Sequence, residues 1–334
     1  MPTLDDVRAQ PVAVKTLRTA VQRDRVASSY LFEGPSGVGK QRAALGLASA
    51  LLCPAAPGKG CGSCDVCGRI ARGNHPDVRV FLPREEGDRN IQVEFIRAEV
   101  LPFSQFAPFE GAAALAIFPD ADISFPDNHA EAANAMLKTL EEPRARVHFV
   151  LLASRPDQLL QTIRSRCQRV RFQRLPDRTL RQLLEERGVP EAERDAAVAL
   201  ADGRADLALK LAADGTGRKL LDLALRIDQV VESGRAGLQL ELAEELARHD
   251  DRELVLDTLA MLYRDIAASA AGLSDDALHF RPEAAQIRAR AQGLGASRAA
   301  ARAELIRDAV AAIDTNGNPQ LMLDSLLFAL RSAA

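Results

Sequence analysis

Two hydrophobic periodicities take turns along the first half of the chain. Residues 12–23 carry apolar side chains at helical spacing, and Ser29-Tyr30-Leu31-Phe32 reads as a short strand. A Gly-rich turn follows, then a helical pattern over 39–52, then a polar, Cys-rich stretch. Residues 78–82 are strand-like and 93–104 helical. Residues 113–118 and 147–152 are unbroken apolar runs of strand length, as buried parallel strands require, and Val170-Arg171-Phe172 makes a short last strand. Between the two long strands, Asn128 with Glu131 has the form of a capping box. The helix behind it places Ala133, Met136, Leu137 and Leu140 on one face and stops at Pro143. Strands alternating with helices predict an α/β domain, a parallel sheet covered on both faces.

After Pro176 the strand signals stop. Residues 176–213 read as short helices broken by Gly188-Val189-Pro190 and by Gly203, and Asp214-Gly215-Thr216-Gly217 reads as a linker. From 218 to 334 the pattern is helical throughout, with breaks near Gly234, at 272–275, at 293–297 and at 316–319. The expected organisation is therefore an α/β domain at 1–175, a small helical lid at 176–213 and an all-helical domain at 214–334 whose amphipathic helices suit subunit contacts.

Composition narrows the classes. The 334 residues are 47% apolar and 27% charged, enough for sizeable cores and against wholesale disorder. With aromatics at 4% and no Trp, no stacking platform for single-stranded nucleic acid is suggested. The net charge is −3, divided as 14 basic against 18 acidic residues over 215–334 and 29 against 28 before it, so bulk charge does not mark a stand-alone DNA binder. No apolar run reaches the roughly 18–20 residues of a membrane span, and MPTLDDVRAQ lacks the features of a signal peptide. The expected location is cytoplasmic.

Four short motifs carry chemistry. Gly34-Pro35-Ser36-Gly37-Val38-Gly39-Lys40 fits GxxxxGK between a strand and a helix, where glycines turn backbone N–H groups toward phosphate at a helix N-terminus. Only six of the 43 basic residues are Lys, which makes Lys40 in that slot more telling. A working P-loop continues with Ser or Thr, whose hydroxyl binds Mg²⁺; here Gln41 follows. The second strand-end site is Leu115-Ala116-Ile117-Phe118-Pro119-Asp120-Ala121-Asp122. Aligned by its apolar run, it puts Pro119, which binds no metal, in the slot of the Mg²⁺-holding Asp, and Asp120 in that of the following Glu. Third, Cys53, Cys61, Cys64 and Cys67 crowd into fifteen residues of a polar, Gly-rich segment, which suits a closed, structural Zn²⁺ site; an iron–sulfur cluster is the competing metal. Fourth comes Ser165-Arg166-Cys167, which alone reads as well as a surface Arg beside a buried Cys.

Together with Asn134-Ala135-Met136-Leu137-Lys138-Thr139-Leu140-Glu141-Glu142-Pro143, these motifs resemble bacterial DNA polymerase III clamp-loader subunits of the AAA+ superfamily, strongly over 1–175 and weakly beyond, where Asn318-Pro319-Gln320-Leu321 looks like the start of the family's last helix. The resemblance implies an AAA+ fold and a helical collar at 214–334. It also implies a place beside gamma/tau motor subunits and a delta subunit in a complex that loads a sliding clamp onto primed DNA. Members of the family are of two kinds, motors with intact ATP motifs and stators whose motifs have decayed. Gln41 and Pro119 match the stator pattern. So does 201–206, which lacks the motor's Gly-Ser-Leu-Arg sensor and carries Asp206 near the slot of its Arg. The resemblance gives Arg166, flanked by Ser165 and Cys167, the role of an arginine finger reaching the γ-phosphate of a neighbouring motor subunit. It leaves this chain with no productive Mg-ATP site, its P-loop glycines Gly34, Gly37 and Gly39 and Lys40 being vestigial. An ATP-hydrolysing motor is the competing reading, and a zinc-dependent DNA-binding module a weaker third.

Overall fold

The computed structural model describes residues 2–82, 91–125, 130–141, 144, 146–313 and 318–333. Asn128 of the expected capping box, Glu142-Pro143 and the first half of the expected break at 316–319 lie outside these residues. The chain divides into two compact units, one formed by 1–179 with 203–206, the other by 180–202 with 207–334.

The first unit is built on a parallel sheet of β1 (Ser29–Glu33), β2 (Val78–Val80), β3 (Ala114–Phe118), β4 (Val147–Ala153) and β5 (Gln168–Arg171), in the order β2-β3-β4-β1-β5. Its helices are α1 (Pro11–Gln22), α2 (Lys40–Leu52), α3 (Asp65–Ala71), α4 (Val93–Phe95), α5 (Leu101–Gln105), α6 (Ala121–Ser124), α7 (Ala130–Glu141) and α8 (Gln161–Arg164). This is the α/β class with a parallel sheet expected from the sequence. β1, β3 and β4 are buried at every residue, which is why they read as unbroken apolar runs. Alternate side chains go to opposite faces. Tyr30, Phe32, Ile117 and Val150 pack with Ala43, Ala44 and Leu47 of α2, whereas Leu31, Phe118, Phe149 and Leu151 pack with Ala133, Met136 and Leu140 of α7. The three α7 residues belong to the face anticipated from their spacing, and Leu137 packs partly buried beside them.

Two local readings change. The expected helix at 93–104 contains a π-helical turn at Ile96–Val100 between α4 and α5. Pro102 follows it and has no N–H to offer the preceding turn, so the regular ladder cannot run through. The last strand runs over Gln168–Arg171, because it pairs in register with Tyr30–Glu33 of β1. As an edge strand it buries only Val170, which left too little apolar signal to fix its limits. Phe172 lies just beyond, its N–H on Glu33 O at 2.8 Å.

The second unit is helical. After α9 (Asp177–Glu185), whose start lies in the first unit, come α10 (Glu191–Ala201), α11 (Ala205–Ala212), whose first two residues also belong to the first unit, α12 (Thr216–Ser233), α13 (Ala236–Ala247), α14 (Arg252–Ala270), α15 (Ala284–Leu294), α16 (Ala296–Ile313) and α17 (Pro319–Ser332). The expected linker at 214–217 is a short 3-10 turn running straight into α12. Gly217 serves close packing there, since a Cβ on it would stand 3.2 Å from the backbone nitrogen of Ala197. α17 opens as anticipated, with Asn318 as N-cap accepting the N–H of Gln320 at 3.0 Å and Pro319 at the first helical position. An ionic cluster, buried at Asp228, Tyr263 and Arg302, ties this unit together. Asp228 of α12 accepts from the Tyr263 hydroxyl at 2.9 Å and from Arg290 Nε at 2.7 Å, while the fully buried Arg302 reaches Glu232 at 2.7 Å. Burial holds the Tyr263 phenol well above its ordinary value, with Asp228 adding to the effect. Among the described residues no helix is long and apolar enough to cross a membrane.

Candidate functional site

The C-terminal ends of β1, β3 and β4 converge on one edge of the sheet, beside the point where the strand order reverses. β1 delivers the P-loop. Gly34 must be glycine: its φ is +149°, and a Cβ would fall 2.2 Å from Phe172 O. Gly39 is the N-cap of α2, so Lys40 opens the helix. Lys40 is 8% exposed. Its ammonium is engaged inside the protein, donating to the carbonyls of Gly34 and Pro35, the latter at 2.6 Å, and to Ser154 Oγ at 3.2 Å past the end of β4. Burial pushes its pKa down, and the carboxylates of Asp122, Asp120 and Asp206 oppose that shift. Gln41 is exposed.

β3 ends at Phe118, so Pro119 is the first residue beyond the strand, as in the alignment by apolar run. Asp120 takes a left-handed conformation (φ 47°) and its carbonyl accepts the N–H groups of Ile123 and Ser124 at 2.9 and 2.8 Å. Asp122 points inward instead. Its carboxylate is buried and accepts the backbone N–H of Ser154 at 3.2 Å and of Arg155 at 2.8 Å, fastening the end of β3 to that of β4.

Three participants escaped sequence reading. Ser154 joins Lys40 across 114 residues. Glu33, at the buried end of β1, receives Arg169 and Arg171 from β5 at 2.8 Å each. The segment 203–206 crosses the P-loop: Ala205 N donates to Gly37 O at 3.0 Å and Ser36 Oγ to Asp206 Oδ2 at 2.9 Å. Asp206 had drawn notice only for its place in the sensor segment. These contacts join residues far apart in sequence, and no local spacing signals them.

The cysteine quartet is built from two helix ends. Cys53 caps the C-terminus of α2, Cys64 the N-terminus of α3, Cys67 lies in the first turn of α3, and Cys61 sits on the connecting loop. The four sulfurs all lie within 4.8 Å of one another, and Cys53 Sγ is 3.7 Å from Cys64 Sγ. Ligands at about 2.3 Å in a tetrahedron stand about 3.8 Å apart, so the donor set fits a closed Zn²⁺ or similar thiophilic ion. Backbone N–H groups aim at the sulfurs: Ala56 and Cys61 at Cys53, Ser63 and Cys64 at Cys61, all at 3.3–3.4 Å. Those on Cys61 lower its pKa to about 5, whereas burial raises Cys67 to about 12. Four sulfurs this close cannot all ionise without a cation between them. The module is braced behind by Arg69, which pairs with Glu110 at 2.6 Å, and by His75, whose Nε2 stands 3.2 Å from the same carboxylate.

In Ser165-Arg166-Cys167 the outer residues are structural. Ser165 Oγ donates to Thr162 O at 3.0 Å, closing α8. Cys167 is buried in the core, which raises its thiol to about 12 and makes it inert. Arg166 between them is 30% exposed at its side chain. Its guanidinium grips Glu141, at the end of α7, through Nε and Nη2, and Nη1 donates to Thr162 O at 2.9 Å.

A parallel α/β unit with a P-loop and a cysteine quartet, followed by a helical unit, defines the class: a P-loop-type α/β subunit with a helical extension. The family model described as "DNA polymerase III, delta subunit" matches residues 9–176, and the chain belongs to that family of clamp-loader subunits. It is 30% identical over 274 residues to the DNA polymerase III subunit delta' of Bacillus subtilis, covering 81% of this chain and 80% of that one. It is 40% identical over 147 residues to the subunit delta' of Pseudomonas aeruginosa, where the match spans 43% of each chain. It is also 29% identical over 260 residues to the subunit tau of Bacillus subtilis, covering 78% of this chain but 41% of that protein.

Proposed function

We propose that this chain is the stator of a clamp loader: it turns over no ATP itself and supplies Arg166 to the site of a neighbouring motor subunit. The observation that carries the reading is the contrast between two sites. The P-loop has Gln41 and Pro119 where the two Mg²⁺ supports belong, and its Lys40 is engaged by its own loop. Arg166 is partly exposed and set between a cap and a core anchor. A guanidinium suits a phosphate because its planar fork gives two parallel hydrogen bonds and stays charged. Residues 176–213 act in this reading as the lid and 214–334 as the collar. The implied partners are gamma/tau motors and a delta subunit, with the sliding clamp and primed DNA engaged through the complex. Cys53, Cys61, Cys64 and Cys67 hold one structural Zn²⁺, which fixes α2 against α3 and does no chemistry on substrate.

The test is ATP turnover by the pure chain, alone and after assembly with motor subunits. The expected result is no turnover alone and full clamp- and DNA-stimulated turnover on assembly. Robust hydrolysis by the pure chain that Lys40→Ala abolishes would overturn the proposal and make the chain a motor.

A further inference from the structure

We infer that Asp206 is an internal plug of the P-loop, its carboxylate holding the place on the Ser36-Gly37 turn that a nucleotide phosphate would need. Three observations within the first unit converge. The Asp206 carboxylate accepts the Ser36 hydroxyl at 2.9 Å. It lies so close to Gly37 that a Cβ there would fall 1.8 Å from Oδ1, so the carboxylate already fills the space beside that residue. The segment carrying it is tied down on both sides, by Ala205 N on Gly37 O at 3.0 Å and by Leu175 N on Gly203 O at 2.9 Å, with Gly203 packed on Arg174.

The electrostatics agree with the geometry. A P-loop draws anions because the N-terminus of its helix carries partial positive charge and its Lys adds a full one. Here Asp206 supplies an anion from the chain itself, and Lys40 is spent on Gly34 O, Pro35 O and Ser154. Asp122, Asp120 and Asp206 all act on Lys40 and offset its charge. Arg204, whose buried Nε is 3.9 Å from Asp206, offsets part of this. Asp206 also lies in the first turn of α11, where an acid is favoured by its own helix; that role alone would not bring its carboxylate onto Ser36 and Gly37.

The inference deepens the reading of this pocket as one without turnover and rests on it, but it concerns binding and involves neither Arg166 nor the assembled complex. The experiment is calorimetric titration of ADP and of pyrophosphate, without Mg²⁺, into the full-length wild type, Asp206→Asn, Asp206→Ala and the double variant Asp206→Ala/Lys40→Ala, each checked by circular dichroism and thermal melting. Removing a like charge beside the bound phosphates should tighten ADP and pyrophosphate by at least about tenfold at low salt. Lys40→Ala should cancel the gain, and adenosine should show none. A gain in both single variants assigns the block to charge, and a gain in Asp206→Ala alone assigns it to occupancy; either supports the plug. Folded variants that bind no tighter than wild type, or a gain that survives Lys40→Ala, would overturn it. Mg-ATP hydrolysis by the wild type would instead count against the proposed function, so the two failures are told apart.

Discussion

Arg166→Ala separates the finger reading from a purely structural one, because the two differ by orders of magnitude in different observables. The structural contribution is small. The Arg166–Glu141 pair is 30% and 46% exposed on its two sides, and pairs of that exposure contribute about 0–1 kcal/mol. The bond from Nη1 to Thr162 O adds about 0.5–1.5 kcal/mol at most. Truncation should therefore lower unfolding stability by no more than about 2.5 kcal/mol, and the variant should assemble. The same arithmetic sets what docking must overcome. Releasing Arg166 from Glu141 costs about 1 kcal/mol or less, roughly a fivefold penalty, against a transition-state contribution of about 10³–10⁵ for arginine fingers in other NTPases.

The assay is clamp- and DNA-stimulated ATPase of the fully assembled loader, with clamp loading measured in parallel. Arg166→Ala should silence the one adjacent motor site, so total hydrolysis falls partly while loading falls further. Arg166→Lys should rescue poorly, since a point charge cannot make the paired contact. Glu141→Gln, which weakens the internal grip without touching Arg166, should leave ATPase at or above wild type. A fully assembled complex carrying Arg166→Ala that hydrolyses ATP and loads clamps at wild-type rates would refute the reasoning.

Two further outcomes follow from the same structure. Elemental analysis of protein purified without chelator should find one zinc per chain, and Cys64→Ser should lose it and speed amide exchange over 53–68 more than around the P-loop; metal-free wild type, or iron with visible absorption, would refute the assignment. His148, buried in β4 with Nδ1 on Ala27 O at 2.8 Å, is held below its ordinary value of 6.5 by burial, as is His75. The folded protein therefore binds fewer protons than the unfolded chain near pH 6. Stability is full above about 6.5 and lost as pH falls below it, so the drop in melting temperature between pH 7.5 and 5.5 should shrink in His148→Asn.

The parts of the molecule legible in the sequence are those whose cause is local. β3 and β4 announce themselves because a strand buried on both faces has no polar alternation, and the P-loop because its glycines and Lys40 must sit within seven residues between a strand and a helix. The cysteine quartet is equally local: its ligands come from two consecutive helix ends and one loop. β5 was blurred because an edge strand buries one residue in four, and the π turn at 96–100 because Pro102 acts on the ladder before it while leaving the apolar spacing intact.

What the sequence concealed is the pairing of charges over distance. Asp228 looks like an exposed helical residue and Arg302 like one more surface Arg; both are buried, with Glu232 exposed at the rim, because α12, α14, α15 and α16 turn those faces together. Asp206 stands 170 residues from Ser36, and Arg166 is 25 residues from Glu141. In the isolated chain both of the groups that family chemistry would aim at phosphate, Lys40 and Arg166, already have internal acceptors. The acceptors differ in kind. Lys40 is 8% exposed and held by backbone carbonyls and a core-edge hydroxyl, so freeing it means remaking the loop. Arg166 is held at the surface by one half-exposed carboxylate and the carbonyl of Thr162, contacts that, under the proposed function, a phosphate on a neighbouring subunit would replace at little cost. Under the proposed function, a chain built this way would keep its own pocket closed while leaving its guanidinium available to another.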